Sequence, residues 1–390
     1  MSRALIPVLL TVFLDLLGFG LVIPLLTYYA EGFHASPIHV TLLMACYSLA
    51  QFLFAPVWGA VSDRVGRRPV MLVSVAMTAI CLGGFASATA LWMLFLFRTL
   101  HGMSTANIST AQACVADLTT PENRAAGMGL IGAAFGVGFT VGPWVGGELS
   151  RYGLTFPIWV AAGLSVLNLV LAVFLLPETR KPDSRPMHER TISPVAFLRV
   201  LQHPVVGLCV ALTFVTTLAF AMMESTFTLY ALHTWELDAV AVGRMFGVSG
   251  LITVFIQGGA IRPLVKRFGE RRLLPVGLVT LAVGLALLPF APPVGMMVAV
   301  FAVISVGQSL TTPSLNGLVS RGTAADEQGF VLGTNQSLSA LGRVTGPALA
   351  GLVYTHLSPG APFLLSAGVL VLAFALSLFA VRQHARGAAA

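Results

Sequence analysis

Apolar runs of about 20 residues follow one another along almost the whole chain, and each is long enough for an α-helix to cross a hydrocarbon core of about 30 Å. A backbone in lipid must satisfy its own N–H and C=O groups, so such runs are helices. Charge is correspondingly scarce. Only 9% of the 390 residues are Asp, Glu, Lys or Arg, against about 25% in a soluble domain. Those charges are too few to cover the surface of a water-soluble protein of this length. The composition excludes a disordered chain, a secreted disulfide scaffold and an ordinary cytosolic enzyme, and it points to an all-α membrane protein.

Twelve transmembrane helices are predicted, at about 4–30, 38–62, 69–88, 91–116, 125–149, 155–176, 204–232, 240–265, 273–291, 295–319, 330–354 and 362–381. The long polar stretch at 177–203, which opens PETRKPDSRPMHER, reads as a cytoplasmic linker between an N-terminal six-helix bundle, 1–176, and a C-terminal one, 204–390. If the N-terminus is cytoplasmic, 18 of the 22 basic residues fall on the inner side and only Arg151 and Arg244 on the outer. Cytoplasmic loops carry the excess of Lys and Arg, so both termini are expected inside. The net charge of +7 is thus a topology signal beside anionic lipid, and no nucleic-acid partner is expected. Cys46, Cys81, Cys114 and Cys209 lie in apolar runs without a CxxC pair and read as buried small hydrophobes. The first run is too long for a signal-peptide core and carries Asp15, so it is expected to remain in the mature protein.

The halves repeat. RVGRR at 64–68 returns as RFGER at 267–271, 203 residues on, and GFTVGPWVGG at 138–147 returns as GRVTGPALAG at 342–351, 204 residues on. ENRAAGMG at 122–129 corresponds loosely to DEQGFVLG at 326–333. The offset spans six helices, which implies a parallel repeat and a transporter whose binding site lies between its halves.

The loop GAVSDRVGRRPVML at 59–72 carries Asp63 and three arginines, Arg64, Arg67 and Arg68. Positive-inside charge accounts for the arginines alone. It does not account for Gly59, Asp63 and Gly66 at fixed spacing. Glycine permits a tight turn and close helix approach. The eleventh helix begins on the same face, and its positive dipole end attracts a carboxylate, so the loop reads as a conformational latch.

These residues carry a family resemblance. The GxxxDRxGRR loop resembles the signature loop of the major facilitator superfamily. LDLLGFGLVIPLL at 14–26, FRTLHG at 97–102 and GFTVGPWVGG at 138–147 resemble motifs of its twelve-helix drug/proton antiporters. The chain is most similar to the tetracycline-antiporter-like branch, including QGFVLGTNQSLSALGRVTGPALAGLVY at 328–354. That branch also carries acidic residues in its third and ninth helices. The corresponding spans, 69–88 and 273–291, hold none, which argues against tetracycline itself as the substrate.

The resemblance implies that Gly138, Gly142, Gly146 and Gly147, with Pro143 permitting a bend, form a helix-packing hinge at a moving interface; ordinary helix packing explains the same stripe. Asp15, Arg98, Glu224 and Arg343 lie inside spans, where ionisable groups face a cavity or a partner. Asp15 and Arg98 lie at similar depths. They form either a static ion pair or a proton-linked pair in which protonated Asp15 releases Arg98. Glu224 is either a neutral, hydrogen-bonded acid at a helix contact or the acid whose proton a cationic or donor-rich substrate displaces. Arg343 meets either a carboxylate or backbone carbonyls. The resemblance implies a cavity lined by helices one, four, seven and ten. Polar residues on those helices and Arg343 make His101, Asn107, Gln112, Thr217, Met223, Glu224, Gln308, Thr312 and Arg343 its candidates, although His101 also reads as a structural residue.

Nothing resembles a phosphate loop or a metal-ligand set, so neither catalysis nor a cofactor nor a metal is expected. The reading is a proton-coupled antiporter exporting small amphipathic drugs, monomeric in a bacterial inner membrane, with protons and lipid as its other partners. The alternative is a symporter or facilitator for nutrient uptake.

Overall fold

The computed structural model describes residues 4–105, 107–119, 121–179, 200–203, 205–291, 295–323 and 328–387, with the backbone alone at 107–108, 121–126, 135, 328–329 and 379–387. Most of the predicted linker, 180–199, lies outside the described residues, as does the Asn107 side chain. Among the described residues the regular structure is entirely helical.

The first predicted span is two helices, α1 (Leu5–Val22) and α2 (Leu25–Glu31). Pro24, which lacks the N–H that would continue the ladder, stands between them. Next come α3 (Pro37–Val65) and α4 (Arg67–Ala86). The fourth span is again two helices, α5 (Leu91–Ser104) and α6 (Asn107–Leu118). The hydroxyls of Ser104 and Thr105 both donate to the carbonyl of His101, at 2.9 and 2.7 Å. Such local bonds compete with the helix ladder. The freed carbonyl of Ser104 accepts from the Ser74 hydroxyl at 2.6 Å.

α7 (Pro121–Leu149) and α8 (Phe156–Leu175) complete the first half. The second contains α9 (Val206–Trp235), α10 (Ala239–Phe255), a π turn (Ile256–Ala260), α11 (Ile261–Phe268), α12 (Glu270–Leu287), α13 (Gly295–Arg321), α14 (Gln328–His356) and α15 (Ala361–Gly387). The π turn stands just before Pro263, where the missing N–H disturbs the α ladder.

Ten helices among the described residues are long and apolar enough to cross a membrane. The predicted fourth and eleventh spans are helical but are not among them. The break at Thr105 shortens one, and α14 carries Asn335, Gln336, four hydroxyl residues and Arg343 in its interior.

The chain divides into two compact units, Met1–Arg190 with Leu237–Gly250, and Thr191–Glu236 with Leu251–Ala390. The first half of α10 therefore belongs with the first unit. In that unit α1 packs on α7 and α8, and α4 on α5 and α8. In the second, α9 packs on α14 and α15, and α12 on α13 and α15. Each pair recurs six spans on, so the sequence repeat is a repeat of packing. The tight turns repeat as well: Gly66 and Gly269 join helices with φ of +112° and +74°, where a side chain would be strained.

Leu5, Val8, Val12 and Leu16 of α1 form the core of the first unit with Met71, Ala111, Cys114, Val115, Ile131 and Ala172. In the second, the rings of Phe227 and Phe301 meet at 4.4 Å, both almost fully buried. Large apolar side chains also cover the outside, among them Trp92, Phe174 and Phe255, as a lipid-facing surface requires. All four cysteines are free thiols. Cys81, Cys114 and Cys209 are buried as expected, whereas Cys46 is only half-buried.

Candidate functional site

Asp15, Arg98 and His101 are all buried within the first unit, Arg98 to 3% exposure. The Arg98 guanidinium lies 4.5 Å from the ring centre of Tyr47 and 5.1 Å from that of Phe19. Phe19 follows Asp15 by one helical turn, so the two share a face of α1. The His101 ring meets Tyr47 edge-on at 5.2 Å. The Tyr47 hydroxyl lies 3.3 Å from that of Thr105. Phe139 of α7 extends the aromatic surface, 5.7 Å from Phe19. The predicted Asp15–Arg98 neighbourhood therefore includes an aromatic setting that the spacing of charges did not reveal. Its one sequence signal is Phe19 at i+4 from Asp15. Gln112 is exposed on α6.

In the second unit Glu224 is half-buried on α9, beside Met223 at 1% exposure. Arg343 donates from Nη1 to the Ser339 hydroxyl at 3.2 Å, and that hydroxyl lies 3.2 Å from Thr217 Oγ1. The structure thus joins Thr217 and Arg343, both predicted, through Ser339, which was not. Gln308 Oε1 is buried and has no hydrogen-bond partner among the described residues. Thr312 is exposed.

The wider polarity of these helices has a local cause. Thr213, Thr216, Ser305 and Thr311 are buried, and each donates to a carbonyl of its own helix four residues back.

Arg67 is the hub of the loop between α3 and α4. Its guanidinium reaches Asp63 Oδ1 at 2.6 Å, the Ser62 hydroxyl at 2.6 Å and Asp117 Oδ2 at 3.4 Å. Arg68 donates to the carbonyl of Val173 at 2.6 Å. The Glu178 carboxylate accepts the backbone N–H of Arg67 at 3.0 Å and of Arg68 at 3.1 Å. It lies at the N-terminus of α4, where free amides and the helix dipole favour an anion. A Cβ on Gly66 would strike that carboxylate. Arg64 is exposed. Gly59 does not serve a close approach, because a Cβ there would meet nothing within 4 Å among the described residues. Asp117 and Glu178 were missed because only folding brings them to the loop. The second unit holds the same joint with the signs exchanged. Glu270, 203 residues after Arg67, pairs at 3.1 Å with Arg321, 204 residues after Asp117.

The glycine stripe of α7 divides between two neighbours. Gly138, Gly142 and Gly146 pack on α1, against Leu16, Gly20 and Leu21. A Cβ on Gly142 would lie 2.7 Å from the Cα of Gly20. These three make ordinary helix contacts inside one unit. Pro143 and Gly147 instead meet α10: a Cβ on Gly243 would lie 2.6 Å from the Pro143 carbonyl and 2.8 Å from the Gly147 Cα. Beyond them Glu148 bridges two arginines, Arg244 at 2.6 Å and Arg151 at 3.0 Å.

Long apolar helices, a packing pattern repeated six spans on and ionisable groups inside the helices define a multi-pass membrane protein of the repeat-built transporter class. The family model described as Major Facilitator Superfamily matches residues 8–262 and 259–390, and the chain belongs to that superfamily. It is 35% identical over 357 residues to the class C tetracycline resistance protein of Escherichia coli, covering 90% of each chain. It is 28% identical to multidrug resistance protein 2 of Bacillus subtilis (strain 168), over 94% of this chain and 92% of that one. Among solved structures, the human organic anion transporter MFSD10 matches with a TM-score of 0.75 and 27% identity, over 97% of this chain and all of the other. The nucleoside transporter NupG matches with a TM-score of 0.74 over 97% of this chain and 99% of that one, at 13% identity, a likeness of fold alone.

Proposed function

We propose that the protein is a proton-coupled antiporter that exports small amphipathic drugs by alternating access. The observation that carries this reading is its similarity, across about nine-tenths of both chains, to proteins named for tetracycline and multidrug resistance. Buried Asp15 and Arg98, with Glu224 in the second unit, are the proton-coupling groups of this reading. Thr217, Gln308, Thr312, Met223 and Arg343 face the substrate, with Asn107 and Gln112. The loop from Gly59 to Arg68 is the latch. The Asp63 side chain is 45% exposed beside Arg67, which leaves room for a second partner in another conformation. The proposal extends to a monomer of twelve helices in a bacterial inner membrane, with both termini cytoplasmic and residues 177–203 linking two bundles.

Each proton entering down 100 mV supplies about 2.3 kcal/mol, enough for modestly uphill exchange. The test is flux in proteoliposomes under an imposed pH gradient. Drug should accumulate against its gradient only when protons run the opposite way, and Glu224→Gln should abolish exchange of cationic drugs while membrane insertion is unchanged. Flux indifferent to pH on both sides refutes the coupling.

A further inference from the structure

The turn between α11 and α12 repeats the RVGRR corner of the first unit but not its charge balance. In the first corner Arg64, Arg67 and Arg68 are matched by three acids, Asp63, Asp117 and Glu178. In the second, each acid gives way to a base. Lys266 stands 203 residues after Asp63, and Arg321 and Arg382 stand 204 residues after Asp117 and Glu178. Among the described residues this corner sets six basic side chains, Arg262, Lys266, Arg267, Arg271, Arg272 and Arg321, against one acid. That acid, Glu270, is buried and taken by Arg321. The other five bases are exposed and make no ion pair among the described residues. Arg271 and Arg272 sit in the first turn of α12, where the helix dipole disfavours a cation. At the equivalent turn of α4 the amides of Arg67 and Arg68 donate to the Glu178 carboxylate. Those of Glu270 and Arg271 have no side-chain acceptor among the described residues. Positive-inside sorting asks for bases on both inner loops; it does not say why one is neutralised and its copy is not. Apolar surface adjoins the bases. From Arg272 the exposed face of α12 runs on at helical spacing as Val276, Val279, Val283 and Leu287, a stripe about 22 Å long.

We propose that the α11–α12 corner is the docking site of an anionic phospholipid, whose phosphate supplies the negative charge that Glu178 supplies in the first unit. The phosphate lies against Arg271 and Arg272 at the open amides of α12, and guanidinium forks suit its oxygens. Lys266 and Arg267, in the last turn of α11, complete the positive surround. One acyl chain lies along Val276, Val279, Val283 and Leu287. The bases alone would serve a free phosphate; the apolar stripe beside them selects a lipid. The proposal holds whichever solute the protein carries.

The test is equilibrium binding of acyl-labelled phosphatidylglycerol to the purified full chain in mild detergent, with phosphatidylcholine of the same chains as the uncharged control. The wild type should prefer phosphatidylglycerol by at least about thirtyfold. Arg271→Gln with Arg272→Gln should weaken phosphatidylglycerol about thirtyfold, from about fivefold for each base beside an anionic surface, and leave phosphatidylcholine within about twofold. Arg271→Lys with Arg272→Lys keeps the charge and should hold binding within about fivefold of the wild type. Lys181→Gln with Arg185→Gln removes the same charge elsewhere and should change nothing. Glycerol phosphate in large excess should not displace the lipid, because it lacks the chains. The proposal is overturned if the wild type binds both lipids alike, if the glutamine pair binds phosphatidylglycerol unchanged, or if the lysine pair loses as much as the glutamine pair. It is overturned equally if the change at 181 and 185 weakens binding as much, or if glycerol phosphate displaces the lipid.

Discussion

Replacing Gly142 by alanine should loosen the first unit, and the structure sets the scale. In the interior of a helix alanine is favoured over glycine by about 1 kcal/mol. That gain is what Gly132→Ala on the same helix should show, since a Cβ at Gly132 would meet nothing within 4 Å among the described residues. At Gly142 the added carbon would sit 2.7 Å from the Cα and 2.8 Å from the carbonyl carbon of Gly20. Both are main-chain atoms, so no rotamer change relieves the overlap. The helices must part by about 0.7 Å to restore ordinary contact. Parting them also loosens the contacts of Gly138 and Gly146 on the same stripe. Overpacking of this kind costs about 1–3 kcal/mol, which cancels the propensity gain and leaves Gly142→Ala below Gly132→Ala by about that amount. Thermal unfolding in one detergent, followed by fluorescence-detected size exclusion, should separate the two by several degrees, with Gly142→Val lower still. If Gly142→Ala melts at or above Gly132→Ala, the close crossing of α1 and α7 is not what the glycine provides.

Further outcomes follow from the ion pairs. Glu178→Ala removes the acceptor of two amides at the N-terminus of α4 and should cost about 1 kcal/mol, read as a lower melting temperature. Arg244→Glu puts a like charge against Glu148 and should slow drug flux; the exchanged pair Glu148→Arg with Arg244→Glu should restore part of it, and a swap no better than the single change would dismiss the contact. Glu270→Arg should destabilise the second unit and Arg321→Glu added to it should recover most of the loss, as a double-mutant cycle on melting temperature would show.

Much of the fold was legible because lipid leaves a chain few choices. Apolar length marked the spans, and the return of RVGRR as RFGER marked a repeat that reappears as glycine turns with positive φ at 66 and 269. The breaks were less visible. Nothing in the hydropathy of the fourth span shows that Ser104 and Thr105 both turn back on one carbonyl. The same habit is invisible in the polar helices, where the hydroxyls of Thr213, Thr216, Ser305 and Thr311 each donate to the backbone of their own helix. At the candidate site the charges stood out because an ionisable residue in an apolar run is conspicuous. Phe19, Tyr47 and Phe139 did not, because an aromatic residue in such a run is ordinary until packing shows what it touches.

The anchoring of Glu178 has a mechanical side. Two amide hydrogens of the first turn of α4 hold its carboxylate, and Thr179 adds a bond to Asp117 at 3.2 Å. Glu178 and Thr179 are therefore fastened at the corner that bears Asp63 and Arg67, although they follow α8. Any tug on Thr179 is delivered to the RVGRR corner first, like a bell rope tied at the hinge.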